Sequence, residues 1–218
     1  MSAEPVRELS IAVIEGDGIG PELVDGALRV LAEAMRVDGH RLTSFAEPGG
    51  AEQFRRTGAS LADGALDRLR SADGVLKGPV GLPEVRNSDG TEAGLLGGVL
   101  RIGLDTYANV RPIRLLDGVG GPTRHEPADV DYVIVRENTE GLYLSRGSGV
   151  ATRDAASDQM LITRNGVDRV SRYAFELARG RSRTGGREPR VTCVDKSNVL
   201  RGFALFREVF DEVAAEYP

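Results

Sequence analysis

An α/β fold is what this 218-residue sequence predicts, and three observations carry the prediction. Short apolar runs end in Gly, Pro, Asp or Lys, amphipathic stretches at helical spacing alternate with them, and the first strand-like run passes through a glycine-rich turn directly into a helix. With 40% apolar residues, the chain can bury one large core or two small ones.

The elements follow in order. Leu9 to Ile14 reads as a strand. Pro21 suits the first position of a helix, and Leu23, Ala27, Leu28, Leu31 and Ala34 or Met35 continue at helical spacing to about Gly39. A second helix is expected to start near Leu61, and Gly74 to Leu76 is a short strand. Lys77 to Gly90 is too rich in Gly and Pro for regular structure, and long loops of this kind often carry function. Glu92 to Leu104 reads as a helix and Tyr107 to Leu116 as an extended segment interrupted at Pro112. Asp131 to Arg136 and Arg190 to Asp195 are the clearest later strands. Ser145 to Thr163 lacks periodicity and suits a protruding hairpin or arm, while Val167 to Ala178 and Phe203 to Ala215 are amphipathic helices.

Composition removes several classes of function. The formal net charge of −5 argues against nucleic acid or a membrane surface as the main partner, although local arginines can still bind small anions. Cys193 is the only cysteine, so no internal disulfide and no cysteine zinc cage can form, which fits a reducing cytoplasm. No run approaches the roughly 18 apolar residues that span a bilayer, and the N-terminus has no signal-peptide core. The basic segment Arg179 to Arg187 has no aromatic residue to stack on bases and reads as a solvated loop. His40 and His125 stand alone and receive no role. Cys193, inside a strand-like run, reads as a core thiol.

The glycine turn invites comparison with a dinucleotide-binding fingerprint, Gly-x-Gly-x-x-Gly, whose third glycine lets helix and strand pack closely. Here Gly16, Gly18 and Gly20 run Gly-x-Gly-x-Gly and the third-glycine position is Pro21. Asp38, at about the distance where a ribose-binding acid would stand, falls in a turn before the next strand. The pattern argues against a Rossmann site, yet the turn still sets helix-terminal amides at the carboxyl end of a strand.

Four cations border buried elements. Arg101 follows Val99 and Leu100, Arg111 lies in Tyr107-Ala-Asn-Val-Arg-Pro112, Arg136 ends the strand Tyr132 to Val135, and Lys196 follows Val191 to Asp195. A guanidinium beside an apolar strand loses hydration unless a carboxylate or phosphate pairs with it. Tyr143, beyond the turn Asn138-Thr-Glu-Gly141, adds a phenol able to donate a proton.

These residues resemble the β-decarboxylating dehydrogenases, the family of 3-isopropylmalate, isocitrate, homoisocitrate, tartrate and D-malate dehydrogenases. The matching stretches are Gly16-Asp-Gly-Ile-Gly-Pro-Glu22, Leu100-Arg101, Tyr107-Ala-Asn-Val-Arg-Pro112, Val135-Arg-Glu-Asn-Thr-Glu-Gly-Leu-Tyr143 and Val194-Asp-Lys-Ser-Asn-Val-Leu200, in family order along almost the whole chain. The resemblance implies a homodimer that oxidises a (2R)-hydroxy di- or tricarboxylic acid with NAD or NADP and Mg²⁺ or Mn²⁺, then releases the β-carboxylate. By that resemblance Arg101, Arg111 and Arg136 clamp substrate carboxylates. Lys196, reaching across the dimer, helps remove the C2 hydroxyl proton, the metal polarises the ketone, and Tyr143 protonates the enolate carbon. Asp17, Gly18, Ile19 and the Lys77 to Leu82 loop would lie near the cofactor, and Asn198 would face nicotinamide or substrate.

The implied fold is the family's two-domain α/β sandwich, which is not a Rossmann fold. Residues 1–106 would form the N-terminal part of the first, larger domain. Residues 107–218 would form an incomplete second domain, with a dimer-clasping arm near 145–163. The family's metal-binding aspartates and adenine pocket correspond to sequence beyond Pro218, so the chain reads as the N-terminal part of a longer enzyme or as a natural truncation, inactive without a complementing polypeptide. The substrate loop Gly94-Leu-Leu-Gly-Gly-Val-Leu100 departs from both the isopropylmalate and the isocitrate patterns, since Leu95, Gly97 and Gly98 stand at the discriminating positions. A substrate with a small or polar γ group is compatible with those glycines. The alternative function is a noncatalytic regulatory or partner subunit, against which the presence of both Tyr143 and Lys196 argues.

Overall fold

A computed structural model describes residues 5–121, 123–145, 148–185 and 188–218, which fall into two compact units divided between Leu104 and Asp105.

The first unit is built on β1 (Glu8–Ile14), α1 (Gly20–Val37), β2 (Arg41–Ala46), α2 (Ala51–Thr57), α3 (Ala65–Ser71), β3 (Gly74–Lys77) and α4 (Gly97–Gly103). Its three strands are parallel in the order β2-β1-β3, with Ala12 opposite Phe45 on one side and Val75 on the other. The central strand is therefore the most apolar, and Ala12 and Ile14 are fully buried with Leu69 and Leu96. Strand order reverses between β1 and β3, and in open α/β sheets the crevice at the carboxyl ends of two such strands is the usual ligand position. Gly16 occupies that crevice with φ +78°, and a Cβ there would stand 2.0 Å from the Pro79 carbonyl oxygen. Gly16→Ala is expected to lower the stability of this unit by more than about 2 kcal/mol, read as a reduced urea midpoint.

Two helical readings change. The helix expected near Leu61 begins at Ala65, because Gly64 takes a left-handed conformation at its N-cap while Leu61 bridges to Gly49 and packs on the core. The stretch Glu92 to Leu104 is helical only over α4. Gly94, at φ +72°, lies against the backbone of Ala51, and the Ala93 amide donates to the Val85 carbonyl, which holds this segment out of helical geometry. Helix α2 was not legible in the sequence: it has only seven residues, too few to show a period.

The second unit contains β4 (Ala108–Arg114), β5 (Asp131–Glu137), the short strands β6 (Val150–Ala151) and β7 (Ala156–Ser157), and the helices α5 (Arg164–Gly185) and α6 (Arg201–Ala214). β4 and β5 pair antiparallel without interruption, Pro112 opposite Val133. The ladder explains why Pro112 is tolerated: the Asn138 amide donates to the Tyr107 carbonyl and the Leu115 amide to the Val130 carbonyl, so even-numbered β4 residues have their nitrogen turned away from β5.

Helices α5 and α6 bury Val167, Val170, Val209 and Val213, and Phe175 of α5 packs on Phe210 and Tyr217. Arg172 adds paired bonds to Glu216 and Asp168. Within 145–163, β6 and β7 form an antiparallel hairpin; Arg146 and Gly147 lie outside the described residues. The basic segment 179–187, expected as a loop, instead continues α5 as far as Gly185, with Arg179 paired to Glu176 and Arg181 to Asp131; Gly186 and Arg187 lie outside the described residues.

Arg190 to Asp195 is a correction. It runs between helices without forming a strand, because a strand exists only through its ladder and none of the described residues supplies one. Val194 is accordingly 87% exposed.

Candidate active site

In the first unit, the turn after β1 and the loop after β3 are tied together by Asp17. Its amide donates to the Pro79 carbonyl at 2.8 Å, and its buried carboxylate accepts from the amides of Ala51 at 2.7 Å, Gly81 at 2.8 Å and Glu52 at 2.9 Å. Burial raises the carboxyl's pKa, but the Glu52, Gly81 and Ala51 amides outweigh it and, with the nearby Lys77 charge, hold the group below the ordinary aspartate value. The Asp17 side chain is thus committed to the protein interior. Gly18 and Ile19 stand beside it at the surface, Ile19 at 59% exposure, with the Lys77 to Leu82 loop across the crevice. Arg101 sits half-buried on α4, its guanidinium lying over Gly97, where an added Cβ would meet Nη2 at 3.8 Å.

In the second unit, strand parity puts Asn109, Arg111, Arg136 and Asn138 on one face of the β4–β5 ribbon, since Asn109 stands opposite Arg136 and Arg111 opposite Ile134. Each arginine is oriented by the asparagine two residues away. Arg111 Nε donates to Asn109 Oδ1 at 2.7 Å, and Arg136 Nη2 to Asn138 Oδ1 at 2.7 Å. Asn138, buried, is itself fixed by donating to the Thr106 carbonyl at 2.9 Å. Arg136 Nε is buried and has no acceptor, while its guanidinium carbon lies 5.8 Å from the centre of the Tyr143 ring. A buried guanidinium N–H without an acceptor is costly, and a carboxylate oxygen is the ligand that would satisfy it.

The residues between Arg136 and Tyr143 shape the turn. The Glu137 carboxylate accepts from the Thr139 amide and hydroxyl and from the Glu140 amide, at 2.7–2.8 Å. Glu140 accepts from the amide and hydroxyl of Thr163, which precedes α5, and the Gly141 amide donates to the Leu161 carbonyl. Arg169 of α5 donates to Thr139 and Asp105 and lies over the Tyr107 ring at 4.7 Å. Tyr143 follows on a short 3₁₀ turn, Leu142–Ser145, and is 48% exposed.

Lys196 and Asn198 are exposed on the turn before α6. Asp195, with its side chain 3% exposed, accepts from the Ser197 amide at 2.8 Å and from Arg207 Nε at 2.7 Å; these contacts hold its carboxyl far below the usual carboxylate range. Burial and the hydrogen bond to Asp195 push the Cys193 thiol up to about 12, as for an unreactive thiol, but Cys193 is only partly buried and lies in no strand, which corrects its reading as a core thiol. Among the described residues, no three His, Cys, Asp or Glu side chains converge to hold a metal ion, and no helix is long and apolar enough to cross a membrane.

The sequence points to the arginines, Tyr143 and Lys196 as candidates. It did not reveal the groups that orient Arg111, Arg136 and the Lys196 turn, which are Asn109, Asn138, Asp195 and Arg207, nor Arg169, which braces Thr139 and Asp105. Two-residue spacing on a strand was the available signal for the first pair.

The chain belongs to the isocitrate/isopropylmalate dehydrogenase family, whose profile matches residues 10–218. It is 43% identical to the 3-isopropylmalate dehydrogenase of Clavibacter sepedonicus over 97% of this chain and 59% of that protein. To a probable tartrate dehydrogenase/decarboxylase of Agrobacterium vitis it is 38% identical over 98% of this chain and 59% of that one. Among solved structures, isocitrate dehydrogenase from Methylococcus capsulatus matches with a TM-score of 0.77 at 35% identity, covering 96% of this chain and 58% of that one. The fold is therefore the family's α/β fold, and the chain spans about 59% of the length of the curated relatives it matches.

Proposed function

We propose that this chain supplies the substrate arginines and the two proton-transfer residues of an NAD- or NADP-dependent dehydrogenase that oxidises and decarboxylates a small (2R)-hydroxy di- or tricarboxylic acid. The observation that carries the reading is the arginine face of the ribbon, where Arg111 and Arg136 are both held by asparagines and Arg136 keeps a buried Nε without an acceptor. A substrate carboxylate fits that donor. Arg101 would meet a second carboxylate, Lys196 would take part in moving the C2 hydroxyl proton as hydride leaves, and Tyr143 would return a proton to carbon after CO₂ departs.

Gly18 and Ile19, exposed beside the Lys77 to Leu82 loop, suit a flat contact with a nicotinamide. Asp17 would act there through its backbone, because its carboxylate is occupied. A divalent ion would stabilise the developing enolate, but the described residues do not by themselves form a cage of three ligands. The bare Gly97 and Gly98 favour an acid with a small or polar γ group over a bulky apolar one. Dimerisation through the β6–β7 hairpin belongs to the same proposal.

The test is one panel of (2R,3S)-isopropylmalate, (2R,3S)-isocitrate, homoisocitrate, D-malate and tartrate, each with NAD or NADP and Mn²⁺. It is run on the 218-residue chain and on the full-length gene product. Expected is reduction of the dinucleotide with one hydroxy acid, strongest for a polar γ group, and no turnover by the 218-residue chain alone. Turnover of none of the acids by any form containing this chain would sink the proposal.

A further inference from the structure

The extended run Arg190 to Asp195 has no ladder to fix it among the described residues, yet it delivers Lys196 and Asn198, so something else must set their position. One side chain makes that connection. Arg207, on the second turn of α6, donates through Nε to Asp195 Oδ2 at 2.7 Å and through Nη2 to the Cys193 carbonyl at 3.3 Å. Asp195 Oδ1 in turn accepts from the Ser197 amide at 2.8 Å, and the Lys196 carbonyl accepts from the amides of Val199 and Leu200 at 3.1 Å. Both sequence neighbours of Lys196 and its own carbonyl are therefore pinned, while its side chain projects outward.

We infer that Arg207 is a positioning residue for the proposed reaction: by clamping the buried Asp195 carboxylate it fixes the turn that presents Lys196 and Asn198. This rests on the function proposed above. A planar guanidinium reaching both a carboxylate and a backbone carbonyl holds a fixed orientation that an ammonium cannot reproduce with one nitrogen. Displacement of a reacting group by about 1 Å is enough to cost roughly a hundredfold in rate. The clamp therefore bears on chemistry without touching substrate.

The sequence provides a clean probe. Lys77 and Lys196 are the only two lysines in the chain, so protein labelled with ¹⁵N-lysine shows two backbone amide signals, one in each unit. Arg207→Met is expected to shift or broaden the Lys196 signal and leave the Lys77 signal in place. Arg207→Lys is expected to restore part of the wild-type position. In the full-length gene product, Arg207→Met is expected to lower kcat by about tenfold to a hundredfold with KM for the hydroxy acid within about threefold, and Arg207→Lys to recover part of the loss.

If Arg207→Met fails to fold, so that both signals collapse, Asp195→Asn replaces it, since the amide keeps an acceptor for Ser197 but loses the charge that holds Arg207. The same Lys196 displacement is then expected. An unmoved Lys196 signal in a folded variant overturns the clamp, and a displaced signal with unchanged kcat overturns its bearing on the reaction. Absence of turnover by the unsubstituted full-length protein on every acid, with the Lys196 signal displaced in the variant, refutes the functional reading while leaving the clamp standing.

Discussion

Tyr143→Phe is expected to lower kcat about 10²- to 10³-fold in the full-length gene product, with KM for the hydroxy acid within about threefold. The substitution removes one O–H and leaves the ring, so the contact of Arg136 with the ring face, at 5.8 Å, persists. The loss then reports proton delivery rather than binding. Lys196→Met should lower kcat by a comparable factor through the other proton, whereas Arg136→Met should raise KM as well, because it removes the donors proposed to meet a substrate carboxylate. The diagnostic is the split between the two parameters, measured by steady-state dinucleotide reduction over a range of acid concentrations. Unchanged activity in both Tyr143→Phe and Lys196→Met would favour a noncatalytic partner subunit.

That the candidate site residues were readable and their supports were not has a physical basis. Arg136 and Tyr143 stand in a string of polar residues directly after an apolar strand, where unpaired charge is conspicuous. Asn138 and Asn109 act only through strand parity, and parity becomes visible once the register of Asn109 against Arg136 is known. Arg207 lies 12 residues from Asp195, on the far side of a turn whose geometry no local pattern specifies. The strand reading of Arg190 to Asp195 failed for a related reason: alternation and β-branched residues describe a segment suited to a sheet, while the ladder depends on what lies beside it. Glu92 to Leu104 failed through Gly94, whose positive φ and contact with Ala51 override the apolar spacing around it. By contrast β1 and α1 stand where the apolar run and the helical spacing put them, and β1 buries Ala12, Val13 and Ile14; the strands β4 and β5 were also legible, but their antiparallel pairing was not.

Asp17→Ala is expected to cost the first unit on the order of 3 to 5 kcal/mol. Reading the glycine turn as a cofactor wall places Asp17 at the ligand; its carboxylate instead joins three parts of the chain by accepting amides at the start of α2 and in the loop after β3. Alanine leaves those amides without an acceptor, and Gly50 cannot close the gap, since it holds φ +122° against the carboxylate itself. A loss of that size is a large part of the stability of a domain near 100 residues. Asp17→Asn keeps an acceptor of the same shape and should cost about 1 to 2 kcal/mol.

The pH dependence separates charge from shape. The folded carboxyl titrates below its unfolded value of about 3.9. Its contribution is therefore complete above that value and is lost as pH falls through the lower, folded pKa. Urea midpoints measured from pH 7 downward should stay a constant distance apart until about pH 4 and then fall less steeply for Asp17→Asn than for the parent chain, so that the two curves draw together as the acid limit is approached. Parallel curves across the whole range would mean that the charge of Asp17 contributes nothing and that the junction is held by shape alone.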